Sequence, residues 1–144
     1  TFCNLRKAEI STMMTGQIIH ISHEGQIQFL NSGHCPPLVV AENGLTSRLI
    51  ENNSLPFGFS ARRVFSGMPV ELHPGETMIL YSDGILECAS RDNEILGPEG
   101  FRKIAVDSYH SDTAVFLENL FRAYESWATS QQDDITFVLI RHRK

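Results

Sequence analysis

Two acidic sites in this sequence have the residue type and the setting for chemistry. Asp83, in Tyr81-Ser82-Asp83-Gly84-Ile85-Leu86-Glu87, follows the apolar run Met78-Ile79-Leu80, where a buried strand should stop. Asp133 and Asp134 stand immediately before Ile135-Thr136-Phe137-Val138-Leu139-Ile140, a run rich in β-formers. If these two strands pair antiparallel, the end of one meets the start of the other, and carboxylates far apart in sequence converge. Clustered carboxylates repel and are costly to desolvate, so a hard divalent ion such as Mg²⁺ or Mn²⁺, which prefers oxygen ligands, would offset them. Each acid also has a plainer role. Asp is a preferred N-cap, Gly84 eases a turn, and Asp133-Asp134 suits the polar end of a loop. Spacing alone leaves cap and ligand both open.

The other dense stretch is Asn31-Ser32-Gly33-His34-Cys35-Pro36-Pro37. Gly33 permits a left-handed backbone, and the two prolines fix an extended exit, so the loop should be rigid. His34 is suited either to contacting a phosphate or moving a proton, or to bracing the loop through its two ring nitrogens. His20 and His23 are an odd number of residues apart and would point to opposite faces of a straight strand, so no zinc site is implied. Ser82 has no histidine and acid set to make it a nucleophile. Cys35 beside His34 makes a weak dyad, because neighbours on an extended chain point apart. No glycine-rich phosphate loop of the Walker type is present.

The elements that must position these groups follow from periodicity. Gln17–Ile21 and Gln26–Leu30 flank His23-Glu24-Gly25 and read as a hairpin; Leu38–Val40 and Leu45–Ile50 flank Glu42-Asn43-Gly44 and read as a second. Leu55-Pro56-Phe57-Gly58-Phe59 is a compact loop. The alternation from Arg63 to Leu72, the turn His73-Pro74-Gly75-Glu76 and the run Thr77–Tyr81 read as a third hairpin. Helical spacing then takes over, first around Ile85, Leu86 and Ala89, next around Phe101, Ile104 and Ala105. A final helix begins after Asp112 as N-cap, with Val115, Leu117, Leu120, Phe121, Tyr124 and Trp127 as its apolar face. Residues 1–10 carry a weak signal for the end of a helix. Strands first, helices next and one last strand predict an α+β arrangement, with helices packed on antiparallel sheet.

With 144 residues the chain suits one domain with a real core, so residues 1–144 read as a single domain. Its 42% hydrophobic and 20% charged residues are globular values. A net charge of -5 argues against nucleic acid or an anionic membrane as partner, since both need a basic stripe. The basic cluster Arg141-His142-Arg143-Lys144 reads as a solvated tail. Cys3, Cys35 and Cys88 form no C-x-x-C pair and are odd in number, which fits a reducing cytoplasm. No apolar run reaches the ~20 residues of a membrane span. The first residue is Thr, so the chain is expected to be part of something longer.

In this order and at these intervals, "NSGHCPP", "LPFGF", "HPGETMILYSDGILE" and "QQDDITFVLI" resemble the SpoIIE/RsbU-like branch of the bacterial metal-dependent (PPM, type 2C) serine/threonine phosphatases, from about Met13 to Ile140. The resemblance implies two stacked antiparallel β-sheets flanked by helices, the αββα sandwich. It implies hydrolysis of phosphoserine or phosphothreonine on a signalling protein, in this branch an anti-anti-sigma (STAS-type) regulator, in a partner-switching or stress-response pathway. Two Mn²⁺ or Mg²⁺ ions and a water nucleophile are expected, without a phosphoenzyme. Asp83 and Asp133 match catalytic metal ligands of the family; Asp134 stands with them as a third metal-site carboxylate, in the supporting position. Gly84 matches the tight exit from the strand, and Asn31, Gly33 and His34 match a supporting loop. One departure is plain: nothing upstream of Asn31 resembles the family's Gly-Asp-x-x-Gly-His-Gly segment, which carries the aspartate that bridges both metals. The site is therefore expected to be incomplete and this chain alone to be weak or inactive. The missing segment, and a sensor or receiver domain, would precede Thr1 in the parent protein, making these residues its C-terminal part. The alternative is a catalytically inactive pseudophosphatase acting as a protein-binding module, with a homodimer through the last helix as a further expectation.

Overall fold

The structure, a computed structural model, describes residues 13–52, 54–60, 64–129 and 133–143. The weak helical signal at 1–10, Cys3, the start of the third expected hairpin at Arg63, and Gln131-Gln132 lie outside the described residues. The chain divides into two compact units, Thr1–Pro36 with Glu51–Glu71, and Pro37–Ile50 with Leu72–Lys144.

The first unit is built on a three-stranded antiparallel sheet of order β1-β2-β5, with β1 Gly16–Ile21, β2 Ile27–Ser32 and β5 Met68–Val70. The expected first hairpin is present, in the register Gly16↔Ser32 to Ile21↔Ile27. Alternation along β2 buries Ile27 and Phe29 and exposes Gln28, which is what fixes the register of a half-buried strand. Phe57, in the compact proline-glycine loop, exchanges backbone hydrogen bonds with Met14 at 2.8 and 3.1 Å.

The second unit is a four-stranded antiparallel sheet of order β4-β3-β6-β7, with β3 Leu38–Val40, β4 Ser47–Leu49, β6 Thr77–Tyr81 and β7 Phe137–Arg141. Strands β3 and β4 are the second expected hairpin. At its turn Gly44 has φ of +66°, which a side chain would strain, and an added Cβ would strike the Tyr109 ring at 2.7 Å. Helices α1 Gly84–Glu87, α2 Gly97–Asp107 and α3 Thr113–Trp127 complete the unit. Its core brings Leu38 and Ile79 from the sheet together with Ile85, Phe101, Phe116 and Leu120 from the helices, and Tyr81 and Phe101 meet with ring centroids 4.3 Å apart. Folding is thus α+β with antiparallel sheets, as the sequence pattern predicts.

Three expectations need correction. The third hairpin does not form: β5 pairs with β2, whereas β6 lies between β3 and β7. The reason is burial. Strand β6 is almost wholly buried and takes a partner on each side, while β5 carries Pro69, whose missing N–H suits an edge. The turn His73–Glu76 closes as expected, with Glu76 N–H donating to the His73 carbonyl at 2.9 Å, but it passes the chain from one sheet to another. The second correction concerns the α3 face. Phe116, Leu120 and Tyr124, each four residues apart, are buried, and Val115, Leu117 and Phe121 are exposed. The third concerns Arg141, which is no solvated tail residue. It ends β7, donates from Nε to Thr77 Oγ1 at 2.7 Å and from its Nη atoms to the carbonyls of Ser111 and His110, and its guanidinium carbon lies 5.3 Å from the Tyr109 ring centroid.

The expected cap of α3 is observed. Asp112 Oδ1 accepts from the backbone N–H groups of Ala114 at 2.8 Å and Val115 at 3.1 Å. Those bonds favour the ionised form and hold the carboxyl below its ordinary value of 3.8. A depressed folded value means stability present above the unfolded pKa and lost as pH falls through the folded one. Asp112→Ala should lower the melting temperature by a few degrees at pH 7, Asp112→Asn should not, and the Ala deficit should shrink once the pH drops below 3.8. Thermal melts of the three proteins across pH check this.

Candidate metal centre

The geometry that matters in the second unit is the pairing of β6 with β7. The register runs from Thr77↔Arg141 to Tyr81↔Phe137, so the C-terminal end of β6 lies beside the N-terminal end of β7. Asp83 leaves the first strand and Asp133-Asp134 lead into the second, at the same end of the pair. Closeness is set by Gly84: a Cβ placed there would lie 2.9 Å from the Asp134 carbonyl oxygen and 3.2 Å from Asp133 Cβ. Only a residue without a side chain lets the two segments approach this far.

Asp83 is also a cap. Its Oδ1 accepts from Gly84 N–H at 3.2 Å, and its carbonyl accepts from Leu86 N–H at 2.8 Å and Glu87 N–H at 3.1 Å, starting α1. One carboxylate oxygen is used this way, and Asp83 is solvent-exposed, so capping leaves room for a second role. Asp133 is held by its neighbour: Asp133 Oδ1 accepts from Asp134 N–H at 2.7 Å, which sets the carboxylate's direction. Ser82 joins the strand ends through backbone and side chain. Its N–H donates to the Thr136 carbonyl at 3.2 Å, its hydroxyl donates to the Asp134 carbonyl at 2.8 Å, and the hydroxyl oxygen accepts from Thr136 N–H at 3.0 Å. Sequence reasoning dismisses Ser82 as a nucleophile and misses this bridge; the only signal is a hydroxyl just past the end of a strand whose partner the sequence does not name.

Among the described residues, no three side chains of His, Cys, Asp or Glu are gathered so as to hold a metal ion. Asp83, Asp133 and Asp134 are therefore not a ready three-carboxylate cluster. Asp134 meets its surroundings through its backbone, by the N–H to Asp133 and the carbonyl to Ser82. The oxygen-only donors, and the glycine that lets Asp133 approach the residue after Asp83, fit part of the coordination of a hard divalent ion and do not complete it. Cys88, at the end of α1, offers no alternative nucleophile. It is buried, its thiol donates to the Ile85 carbonyl at 3.1 Å, and burial pushes its pKa up.

The loop Asn31–His34 belongs to the first unit. Asn31 is 3% exposed and clasps His34 by its backbone: Asn31 Oδ1 accepts from His34 N–H at 3.0 Å, and Asn31 Nδ2 donates to the His34 carbonyl at 2.8 Å. Gly33 has φ of +69°, and a Cβ there would meet Pro56 Cγ at 2.7 Å. The ring of His34 is fixed less firmly, with Nδ1 at 3.4 Å from Thr15 Oγ1.

An α+β chain of antiparallel strands has the fold of the PPM-type phosphatase domains it superposes on. Residues 2–143 match the family model of stage II sporulation protein E, and the chain belongs to this SpoIIE family. It is 22% identical over 119 residues to phosphoserine phosphatase RsbU of Bacillus subtilis, a match covering 82% of this chain and 35% of RsbU. Among solved structures, the RsbU and RsbW domains of Rv1364c from Mycobacterium tuberculosis superpose with a TM-score of 0.73 at 22% identity, over 98% of this chain and 40% of that one. The SiaA-PP2C domain of Pseudomonas aeruginosa gives a TM-score of 0.73 at 19% identity, over 96% of this chain and 56% of that one. The chain spans 21% and 35% of the lengths of two curated relatives it matches. Among the described residues, no helix is long and apolar enough to cross a membrane.

Proposed function

We propose that residues 1–144 form the larger, C-terminal part of one cytoplasmic phosphatase domain that hydrolyses phosphoserine or phosphothreonine on a signalling protein. The observation that carries this reading is the approach of Asp133 to the Asp83-Gly84 step at the paired ends of β6 and β7. Family membership and the likeness to RsbU support it. Asp83 and Asp133 would ligate Mn²⁺ or Mg²⁺. Asp134 would hold Asp133 in place through its N–H, and Gly84 keeps the two segments close. When bound, such ions neutralise phosphate charge and lower the pKa of a water nucleophile. The chain's own contribution is to fix the direction of Asp133 and the start of α1 at Asp83, at the paired ends of β6 and β7. Remaining ligands would come from a segment preceding Thr1. The substrate would be an anti-anti-sigma, STAS-type regulator, with an upstream sensor or receiver domain in the same protein controlling access.

A second reading, a protein-binding pseudophosphatase, is favoured by one observation, the lack of a three-residue ligand cluster among the described residues. Phosphate release separates the two. The full-length protein should release inorganic phosphate from a phosphoserine-bearing STAS-domain protein in Mn²⁺, and chelation should abolish it. Tight binding of the STAS protein with no release at any Mn²⁺ concentration would overturn the enzyme reading.

A further inference from the structure

We propose that Ser82 is a positioning residue that sets the separation of Asp83 from Asp133; the inference rests on the metal-site reading above. The regular ladder between β6 and β7 ends at Tyr81↔Phe137. At the next step Ser82 N–H still reaches the Thr136 carbonyl, at 3.2 Å, but the returning bond is not made to the Ser82 backbone. Instead Thr136 N–H donates to Ser82 Oγ at 3.0 Å, and the same hydroxyl donates its proton to the Asp134 carbonyl at 2.8 Å. One side-chain oxygen thus carries the pairing two residues further up the incoming strand than the backbone alone would.

The carbonyl it holds is the one that a Cβ on Gly84 would approach to 2.9 Å. Ser82 and Gly84, the two neighbours of Asp83, therefore act on the same group. The glycine leaves space for it, and the serine ties it down. Asp134 in turn donates its N–H to Asp133 Oδ1, so the tie extends to the direction of the second carboxylate. A hydroxyl at the end of a strand, where Asp134 and Thr136 are exposed, contributes little to stability, because water replaces its bonds readily. Its effect falls on geometry, and supporting partners of this kind typically change metal affinity by about 10–100-fold.

The test uses the full-length protein with Ser82→Ala, Ser82→Thr and Ser82→Val, and Asp83→Asn as control. Mn²⁺ affinity is read by calorimetry, exchange of the Thr136 amide by NMR, and folding by thermal melts. Ser82→Ala should weaken Mn²⁺ binding by about tenfold and speed exchange at Thr136, with little change in melting temperature. Threonine keeps the hydroxyl and should restore both; valine has the same shape without it and should not. The Thr and Val pair carries the comparison even if the alanine protein folds poorly. Wild-type Mn²⁺ affinity in Ser82→Ala and Ser82→Val, whatever their melting temperatures, would overturn the role of Ser82, provided Asp83→Asn binds weakly. Unchanged binding in Asp83→Asn would instead remove the metal-site reading itself.

Discussion

Asp83→Asn and Asp133→Asn should each cut Mn²⁺-dependent phosphate release by the full-length protein at least about a hundredfold while leaving its melting temperature nearly unchanged. The amide isostere is what makes the result diagnostic. Asp83 caps α1 by accepting from Gly84 N–H, and asparagine, which keeps a side-chain carbonyl oxygen and is as good an N-cap, retains that bond. Asp133 accepts from Asp134 N–H, and asparagine again supplies the acceptor. Neither replacement opens a cavity, since the volumes match and both positions are exposed. What each removes is one negative charge at a site that must hold a divalent cation against a phosphate dianion. Losing several kcal/mol of that stabilisation corresponds to two or three powers of ten in rate, at about 1.4 kcal/mol per tenfold. If the two aspartates serve only as cap and loop residue, both variants will retain full phosphate release, and the proposed enzyme role of this strand end is wrong.

Why this pair was legible in the sequence, and its surroundings were not, has a physical reason. Thr77–Tyr81 is almost wholly buried and needs a neighbour on each side, and Ile135–Ile140 is a second run of β-formers, so an antiparallel pairing of the two is a natural expectation. The end of each strand then fixed where its acid would lie. The third hairpin does not form because nearness in sequence is not pairing: the His73–Glu76 turn closes, yet β6 finds its partners in β3 and β7. In α3 the apolar positions cover so much of the helix that composition could not choose between the Phe116-Leu120-Tyr124 stripe and the Leu117-Phe121 side; packing against the sheet decided it. Arg141 looked like the start of a basic tail because its acceptors, Thr77 Oγ1 and two loop carbonyls, appear only once β7 is in register. The Ser82 bridge is of the same kind. It depends on which residue lies across the ladder, and a single sequence does not display register.

Gly84→Val should be the most damaging single change that alters no charge. The constraint at Gly84 is space rather than backbone angle, because a Cβ there meets the Asp134 carbonyl oxygen at 2.9 Å and Asp133 Cβ at 3.2 Å. The first of these is a backbone atom tied to Ser82 and cannot swing away as the tip of a flexible side chain would. Alanine already forces the two segments apart by some tenths of an ångström. Valine adds two methyl groups in the same direction and, as a β-branched residue, has few rotamers with which to avoid them. Overpacking of this kind typically costs about 1–3 kcal/mol, so the protein should still fold with a melting temperature several degrees lower. The effect on the site should exceed the effect on the fold, because the displacement falls on Asp133 and the Asp134 carbonyl, beside the residue that follows Asp83. Gly84→Ala should weaken Mn²⁺ binding at least about tenfold and Gly84→Val further, in calorimetric titrations of the full-length proteins. Metal affinity that stays at the wild-type level while stability falls through the series would mean that the close approach at Gly84 serves packing alone.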